Sequence, residues 1–319
     1  MARDAEGYAC PSCGAQYPVL CGIPDFRLAP DRYLSLEDER SKARRLHDFA
    51  ASHSFAETLA EYYRITDDVS PMMARRFADY VIAGEARGRA VLHRLGPARR
   101  LLDAGCGAGG LVLAAARAGV AVTGTDIALR WLVIAAKRLE EEGLGADLVC
   151  ADIGQPPFPD AAFDRIAAAD LFEHVPDAAV AAGSLLRLLA PGGMFYGTGA
   201  NCRTLAVYPP AGLWGVGFLP PGLRRRYVTA RRGIDTLRFL SMQTPGRLAR
   251  ILREAGFTAV RTAPMSVPAD RAASAGAGRR VILGAYRRLC GVPLARAGLL
   301  SLGPVFEIMA ERPSDFQET

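Results

Sequence analysis

Lysine is almost missing: the chain holds two, Lys42 and Lys137, so the formal charge of +6 rests on arginine. Arginine and alanine abundance also follows from a GC-rich genome, so this charge permits an anionic partner without demanding one. The start, MARDAEGYACPSCG, carries acids and lacks the apolar stretch of a secretory signal, and a cytoplasmic protein is expected. The seven cysteines fit no secreted disulfide framework. Cys106, Cys150, Cys202 and Cys290 stand singly in apolar contexts and read as small hydrophobes. Internal repeats are absent, and with 50% hydrophobic residues disorder throughout is excluded. At 319 residues the chain has material for one large domain or two smaller ones.

Residues 1 to about 30 read as loop-rich, and the stretch from there to about Leu95 reads as helical, with Pro71 as a break. After GPARR short apolar strands alternate with helical runs, the pattern of an α/β protein with a parallel sheet covered on both faces. Strands are expected at 99–103, 121–126, 147–152, 164–170, 193–199, 259–265 and 305–311. Helices are expected to start near Gly109, Leu129 and Asp177, the third stopping at Pro191 and Gly192. A later one, TPGRLARILREAGF, has Thr244 as cap, Pro245 in its first turn and Gly256 at its end. The expected divisions are 1–30, 31–95 and 96–319, with insertions at 201–240 and 266–303.

The stretch LLDAGCGAGGL satisfies two glycine patterns at once. With Gly105, Gly107 and Gly110 it is the GxGxxG of a dinucleotide-binding oxidoreductase; with Gly105, Gly107 and Gly109 it is GxGxG behind an acid, Asp103. Asp126, closing the next strand, suits a ribose in either case. Asp152, after the third strand, discriminates, because a carboxylate there can accept from an adenine amino group while Ile127 and Ile153 cover the ring. Asp170, after the fourth strand, is a further candidate on the same sheet edge, whereas Asp164 reads as a structural acid at a strand start, and Trp131 and Ile134 as core.

Six ordered segments, LLDAGCGAGG, GTDIA, ADIGQPPFPDAAFD, ADLFEHVPD, LLRLLAPGGMFYGT and TPGRLARILREAGF, together resemble the class I S-adenosylmethionine-dependent methyltransferases, in their small-molecule and quinone-type branch. The resemblance implies a Rossmann-like seven-stranded sheet, six strands parallel and the last antiparallel, with helices on both faces. It also implies S-adenosylmethionine as cofactor, held by Asp103, Gly105, Gly107, Gly109, Asp126, Ile127, Asp152, Ile153 and Asp170. An NAD-dependent oxidoreductase stays as the remote alternative.

The segment YACPSCGAQYPVLCGIPDFR is similar to the second half of a zinc-ribbon module found before bacterial methyltransferases. Structural zinc takes four ligands. Only Cys10 and Cys13 form a pair, Cys21 offers a third thiolate and His47 or His53 a speculative fourth, so no tight metal site is expected against a segment packed by Tyr17, Ile23 and Phe26.

For the acceptor, strand four lacks the Asn or Asp, two prolines and aromatic of base amino-group methylation, and no Pro-Cys nucleophile appears. A small-molecule, natural-product or lipid-linked acceptor remains, with RNA as the alternative through the N-terminal segment and arginines. Residues 204–223 are uncharged, but Pro209, Pro210, Pro220 and Pro221 argue against a membrane-spanning helix. They read as an acceptor lid with Trp214, Phe218 and Leu219 as apolar contacts. Arg224, Arg225, Arg226, Arg231 and Arg232 follow, and peripheral contact with the inner membrane surface through 204–232 is a candidate role. His174 is the candidate general base, with Glu173 and Asp177 as its partners or as a helix cap.

Overall fold

The computed structural model describes residues 2–3, 7–66, 69–265 and 277–314. Near the N-terminus, β1 (Ala2–Arg3), β2 (Gly7–Ala9), β3 (Gln16–Leu20) and β4 (Ile23–Pro24) pair antiparallel in a small ribbon. The expected loop is therefore a sheet, and aromatic packing is the reason: the Phe26 ring lies 5.2 Å from both Tyr8 and Tyr17. Four helices follow, α1 (Leu36–Ala50), α2 (Phe55–Arg64), α3 (Pro71–Ile82) and α4 (Gly84–Leu95). Ser35 caps α1, Ser54 and Glu57 form a capping box on α2, and Pro71 opens α3 in its first turn, where a missing N–H costs nothing.

The main sheet uses β5 (Arg100–Ala104), β6 (Ala121–Asp126), β7 (Asp147–Cys150), β8 (Phe163–Ala169), β9 (Leu189–Ala200), β12 (Thr258–Pro264) and β13 (Val305–Glu311). Between β9 and β12 lies a two-stranded hairpin, β10 (Val207–Tyr208) with β11 (Leu213–Trp214). The strand order is β12-β13-β9-β8-β5-β6-β7, with β13 antiparallel to both its neighbours. This is the expected mostly parallel seven-stranded sheet. The remaining helices are α5 (Gly110–Arg117), α6 (Leu129–Glu141), α7 (Ala178–Leu188), α8 (Pro221–Arg232), α9 (Pro245–Glu254), α10 (Ala277–Cys290) and α11 (Pro293–Leu302). Part of the expected 266–303 insertion lies outside the described residues.

Two boundaries differ from expectation. Helix α7 ends at Leu188, and Pro191 and Gly192 sit inside β9 instead of stopping the helix; proline is tolerated near the start of a strand, where its missing donor breaks little of the ladder. Strand β7 ends at Cys150 because Asp152 turns the chain, its carboxylate accepting from Gly154 N at 2.8 Å.

The chain packs as two units. The first holds the described residues up to Ala168 together with Arg187–Gly193 and Ser314; the second holds those of Ala169–Leu186 and Met194–Pro313. In the first, the N-terminal ribbon and helices join the β5–β8 half: α1 packs on α6 and α4 on α5. The ribbon extends that half at its edge, Phe26 N donating to Cys150 O at 2.8 Å. Buried Leu101, Leu102, Ile166, Val112 and Leu132 make its core. Asp164 accepts from the amides of Arg99 and Arg100, the structural part expected of it. The second unit is built on Phe195, Phe306, Ile308, Phe257, Leu248 and Phe172, all buried.

Helices α4 and α5 cross without side chains between them. A Cβ added to Gly88 would lie 2.6 Å from Leu111 Cα, and one added to Gly110 would lie 2.6 Å from Gly84 C. Gly88→Ala is expected to destabilise the protein by about 1–3 kcal/mol through overpacking against backbone. A lowered thermal midpoint checks this, and an unchanged one would mean that the crossing is looser than described.

Candidate active site

Three glycines shape the turn from β5 to α5. Gly105, Gly107 and Gly109 have φ of 75°, 50° and 67°, in the left-handed region that side-chain-bearing residues rarely enter. Gly105 N and Cys106 N both donate to Thr125 O on β6, at 2.8 and 3.0 Å, and Gly107 N donates to Asp126 Oδ2 at 2.9 Å. A Cβ on Gly107 would meet nothing within 4 Å, so the loop is open there; one on Gly109 would lie 2.9 Å from Ala135 Cβ. Gly109 is thus buried against α6 and starts α5, and the open part of the loop is at Gly107.

Beneath the loop is Asp103, whose carboxyl is pushed up to about 7 by burial and then by the charge of Asp126. No hydrogen-bond donor or cation meets it among the described residues. A buried carboxylate without a partner is costly, and it repels a pyrophosphate. Both facts fit a cationic ligand, and three loop amides are already engaged by β6 and Asp126. In the dinucleotide reading Gly110 would be the third glycine; here it serves the crossing with Gly84.

Asp126 ends β6 half-buried, its Oδ1 accepting from Ala128 N at 2.9 Å. Ile127 is half-buried and Ile153 buried, on either side of the Asp152 turn in chain terms. Two residues that sequence reasoning passed over fix this edge. Arg27 is buried against Asp25 and donates to Ile127 O at 2.8 Å. Arg138 donates to Val81 O, Ile82 O and Ala108 O, joining the end of α3 to the glycine loop. Trp131 stacks near Tyr62 of α2, ring centroids 4.4 Å apart, and Ile134 is in the core.

In the second unit, Asp170 follows β8 at φ 54° and accepts from Thr198 Oγ1 at 3.0 Å. His174 is exposed, whereas its neighbour Glu173 is 3% exposed. Burial first, and then the charge of Asp170, pushes the Glu173 carboxyl up to about 8. Asp177 caps α7, accepting from Ala179 N at 2.8 Å. The expected lid has a core of its own, Tyr208, Ala211, Val216, Val228 and Leu237, so Trp214 and Phe218 face outward at 63% and 52% exposure. Leu219 is half-buried. Two of the arginines are structural: Arg224 donates to Val216 O and Leu219 O, and Arg232 to Ala211 O and Gly212 O.

Among the described residues no three His, Cys, Asp or Glu side chains group as metal ligands. Cys10 and Cys13 share one turn, where Ser12 holds the Cys10 thiol down to about 6. The charges that reach Cys21 are those of Arg44 and Asp48 on α1. His53 stacks on Phe49, centroids 3.7 Å apart.

A methyltransferase domain family matches residues 102–197. The ubiquinone biosynthesis O-methyltransferase of Xylella fastidiosa (strain 9a5c) is 33% identical over 182 residues, covering 52% of this chain and 68% of that protein. The chain belongs to the class I S-adenosylmethionine-dependent methyltransferases. Thiobacillus denitrificans has a ubiquinone biosynthesis O-methyltransferase 32% identical over 162 residues, 50% of this chain and 64% of that protein. The demethylmenaquinone methyltransferase of Thermus thermophilus is 41% identical over 97 residues, 30% of this chain and 44% of that protein. The match thus spans between 44% and 68% of these three relatives. In this methyltransferase the buried, unpartnered Asp103 and the open glycine loop fit the cationic cofactor of the family, and nothing among the relatives favours the RNA or oxidoreductase readings.

Proposed function

We propose that this methyltransferase carries the methyl group of S-adenosylmethionine to a hydroxyl of a small apolar acceptor of quinone or lipid-linked type. Asp103 carries the cofactor half of this reading, as a buried carboxyl beside Asp126 that a cationic ligand would hold ionised. Gly105 and Gly107 give close backbone approach, Asp126 takes the ribose hydroxyls, Asp152 the adenine amino group, and Ile127 and Ile153 cover the ring. Asp170 stands at the end of β8 as a further cofactor residue, and residues 201–240 form the acceptor lid. When bound, the cofactor supplies an electrophilic methyl carbon. The acceptor hydroxyl must lose a proton, and Glu173, buried and already shifted toward neutral pH, is better suited to take it than exposed His174, the sequence-based choice.

An apolar acceptor is met at a membrane surface, and the second unit is equipped for one. No acidic residue lies between Asp177 and Asp235 or between Asp270 and Glu307. Trp214, Phe218 and Leu223 are 63%, 52% and 54% exposed beside exposed Arg225, Arg226 and Arg231. No described helix is long and apolar enough to cross a membrane, so contact would be peripheral. A deletion strain is expected to accumulate a lipid or quinone-like compound one methylene lighter than its wild-type counterpart, seen by untargeted mass spectrometry; an unchanged lipid profile overturns the acceptor class. Flotation with vesicles containing anionic lipid is expected to carry the protein, and to fail for a Trp214→Ser, Phe218→Ser double variant. Equal recovery with neutral vesicles would remove the arginines from the argument.

A further inference from the structure

Among the described residues of the second unit, four side-chain atoms are buried and lack a hydrogen-bond partner: Glu173 Oε2, Tyr208 Oη, Thr236 Oγ1 and Gln243 Oε1. Buried polar atoms in folded proteins are nearly always paired, so a cluster of orphans asks for a missing group. Three of the four converge. Gln243 Nε2 donates to Phe172 O, the residue before Glu173, at 3.2 Å. Ser241 N donates to Glu173 O at 2.7 Å. The Tyr208 hydroxyl is raised by burial and then by the charge of Glu173. These three residues come from separate parts of the chain and are each at most 3% exposed. Tyr208 belongs to the apolar cluster of Ala200, Ala211, Val216, Val228 and Leu237, with Leu240 and Met242 packed against it.

A phenol and a carboxylate near enough to feel each other, yet not bonded, are held apart by their apolar surroundings. The free inventory is the Tyr208 O–H as donor, the Gln243 carbonyl as acceptor, and the Glu173 carboxyl, which burial keeps largely protonated near neutral pH and which accepts once ionised. We propose that Glu173, Tyr208 and Gln243 are the polar subsite for the acceptor's head, Tyr208 donating to one of its oxygens while Gln243 and, once ionised, Glu173 accept from its hydroxyls. The complementary head is uncharged and apolar-framed, with two neighbouring oxygens of which at least one is a hydroxyl. Once ionised, Glu173 repels phosphate and carboxylate heads. This rests on the methyltransferase reading above and adds where, and by which groups, the acceptor is held.

The test is calorimetric binding of 4-tert-butylcatechol to the full-length protein saturated with S-adenosylhomocysteine. Wild type is expected to bind it and to ignore 1,2-dimethoxy-4-tert-butylbenzene. Tyr208→Phe and Gln243→Leu are each expected to weaken the catechol at least tenfold with S-adenosylhomocysteine affinity unchanged. Should Tyr208→Phe not fold, Gln243→Leu and the isosteric Glu173→Gln carry the comparison. Wild type that binds S-adenosylhomocysteine but not the catechol overturns the subsite. So do variants that melt higher and bind the catechol as wild type does, which would make these atoms merely ill-satisfied core. Wild type that fails to bind S-adenosylhomocysteine instead overturns the methyltransferase reading itself.

Discussion

Asp103→Asn is expected to abolish measurable S-adenosylmethionine binding while raising the melting temperature of the ligand-free protein at neutral pH and above. The two effects have one cause. Asp103 is buried with Asp126 beside it and no counter-charge, which holds its carboxyl at about 7 when folded, against roughly 3.9 in an unfolded chain. A group whose folded value is raised favours the folded state most at low pH, and that advantage is lost as pH rises from about 4 to about 7. Ionising it in the folded protein costs about 4 kcal/mol by linkage. Asparagine removes this cost but leaves its own amide poorly paired, at about 1–3 kcal/mol, so a net gain of roughly 1–3 kcal/mol is expected above pH 7 and none near pH 4. The loss in binding is larger, because a buried charge loses its partner. Such truncations cost about 2–5 kcal/mol, or about 30-fold to several thousandfold in affinity. In wild type, affinity should fall as pH drops below about 7, by up to tenfold per unit, because the cationic ligand must displace a proton. Calorimetry and melts across pH 4–8 check both, and a variant that binds normally would take Asp103 out of the site.

Glu173→Gln is expected to lower turnover of the acceptor identified in the deletion strain by about a hundredfold to ten-thousandfold, the range of general-base catalysis. Glu173 is buried and its carboxyl is pushed up to about 8. In wild type the rate should therefore rise with pH through about 8, as the carboxylate that accepts the proton forms. The variant should lose that limb and keep its affinity for S-adenosylhomocysteine. His174→Ala is expected to retain turnover within about tenfold, since an exposed imidazole leaves its task to water. If the rate losses fall the other way, with the pH limb abolished by His174→Ala, the base is His174.

Local patterns made the fold readable. VTGTD alternates and ends on an acid, and β6 occupies the expected residues; Thr244, Pro245 and Gly256 bracket α9 through capping chemistry that needs no tertiary partner. The glycine loop was legible because positive φ restricts residue choice. Pro191 and Gly192 misled, since the same pair that ends helices is admitted at the start of a strand. The second half of the site was not legible. Glu173 and His174 are adjacent, and only the fold decides which is buried; the raised Glu173 carboxyl follows from that burial and leaves no trace in the sequence. Tyr208 and Gln243 carry no signal of their own, because burial and distant contacts set their surroundings: Tyr208 sits among Ala211, Val216 and Val228, and Gln243 bonds Phe172 O.

The bare crossing of α4 and α5 ties the leader sequence to the ligand loop as a hinge pin ties two leaves. Gly84 and Gly88 precede the matched domain, 102–197, yet they touch the residues that open its first helix. A chain cut to the matched domain would expose that seam. Among related chains, side-chain size at 84, 88 and 110 should covary, so that a leader grafted from a distant relative fits only when it brings its own pair of small residues along.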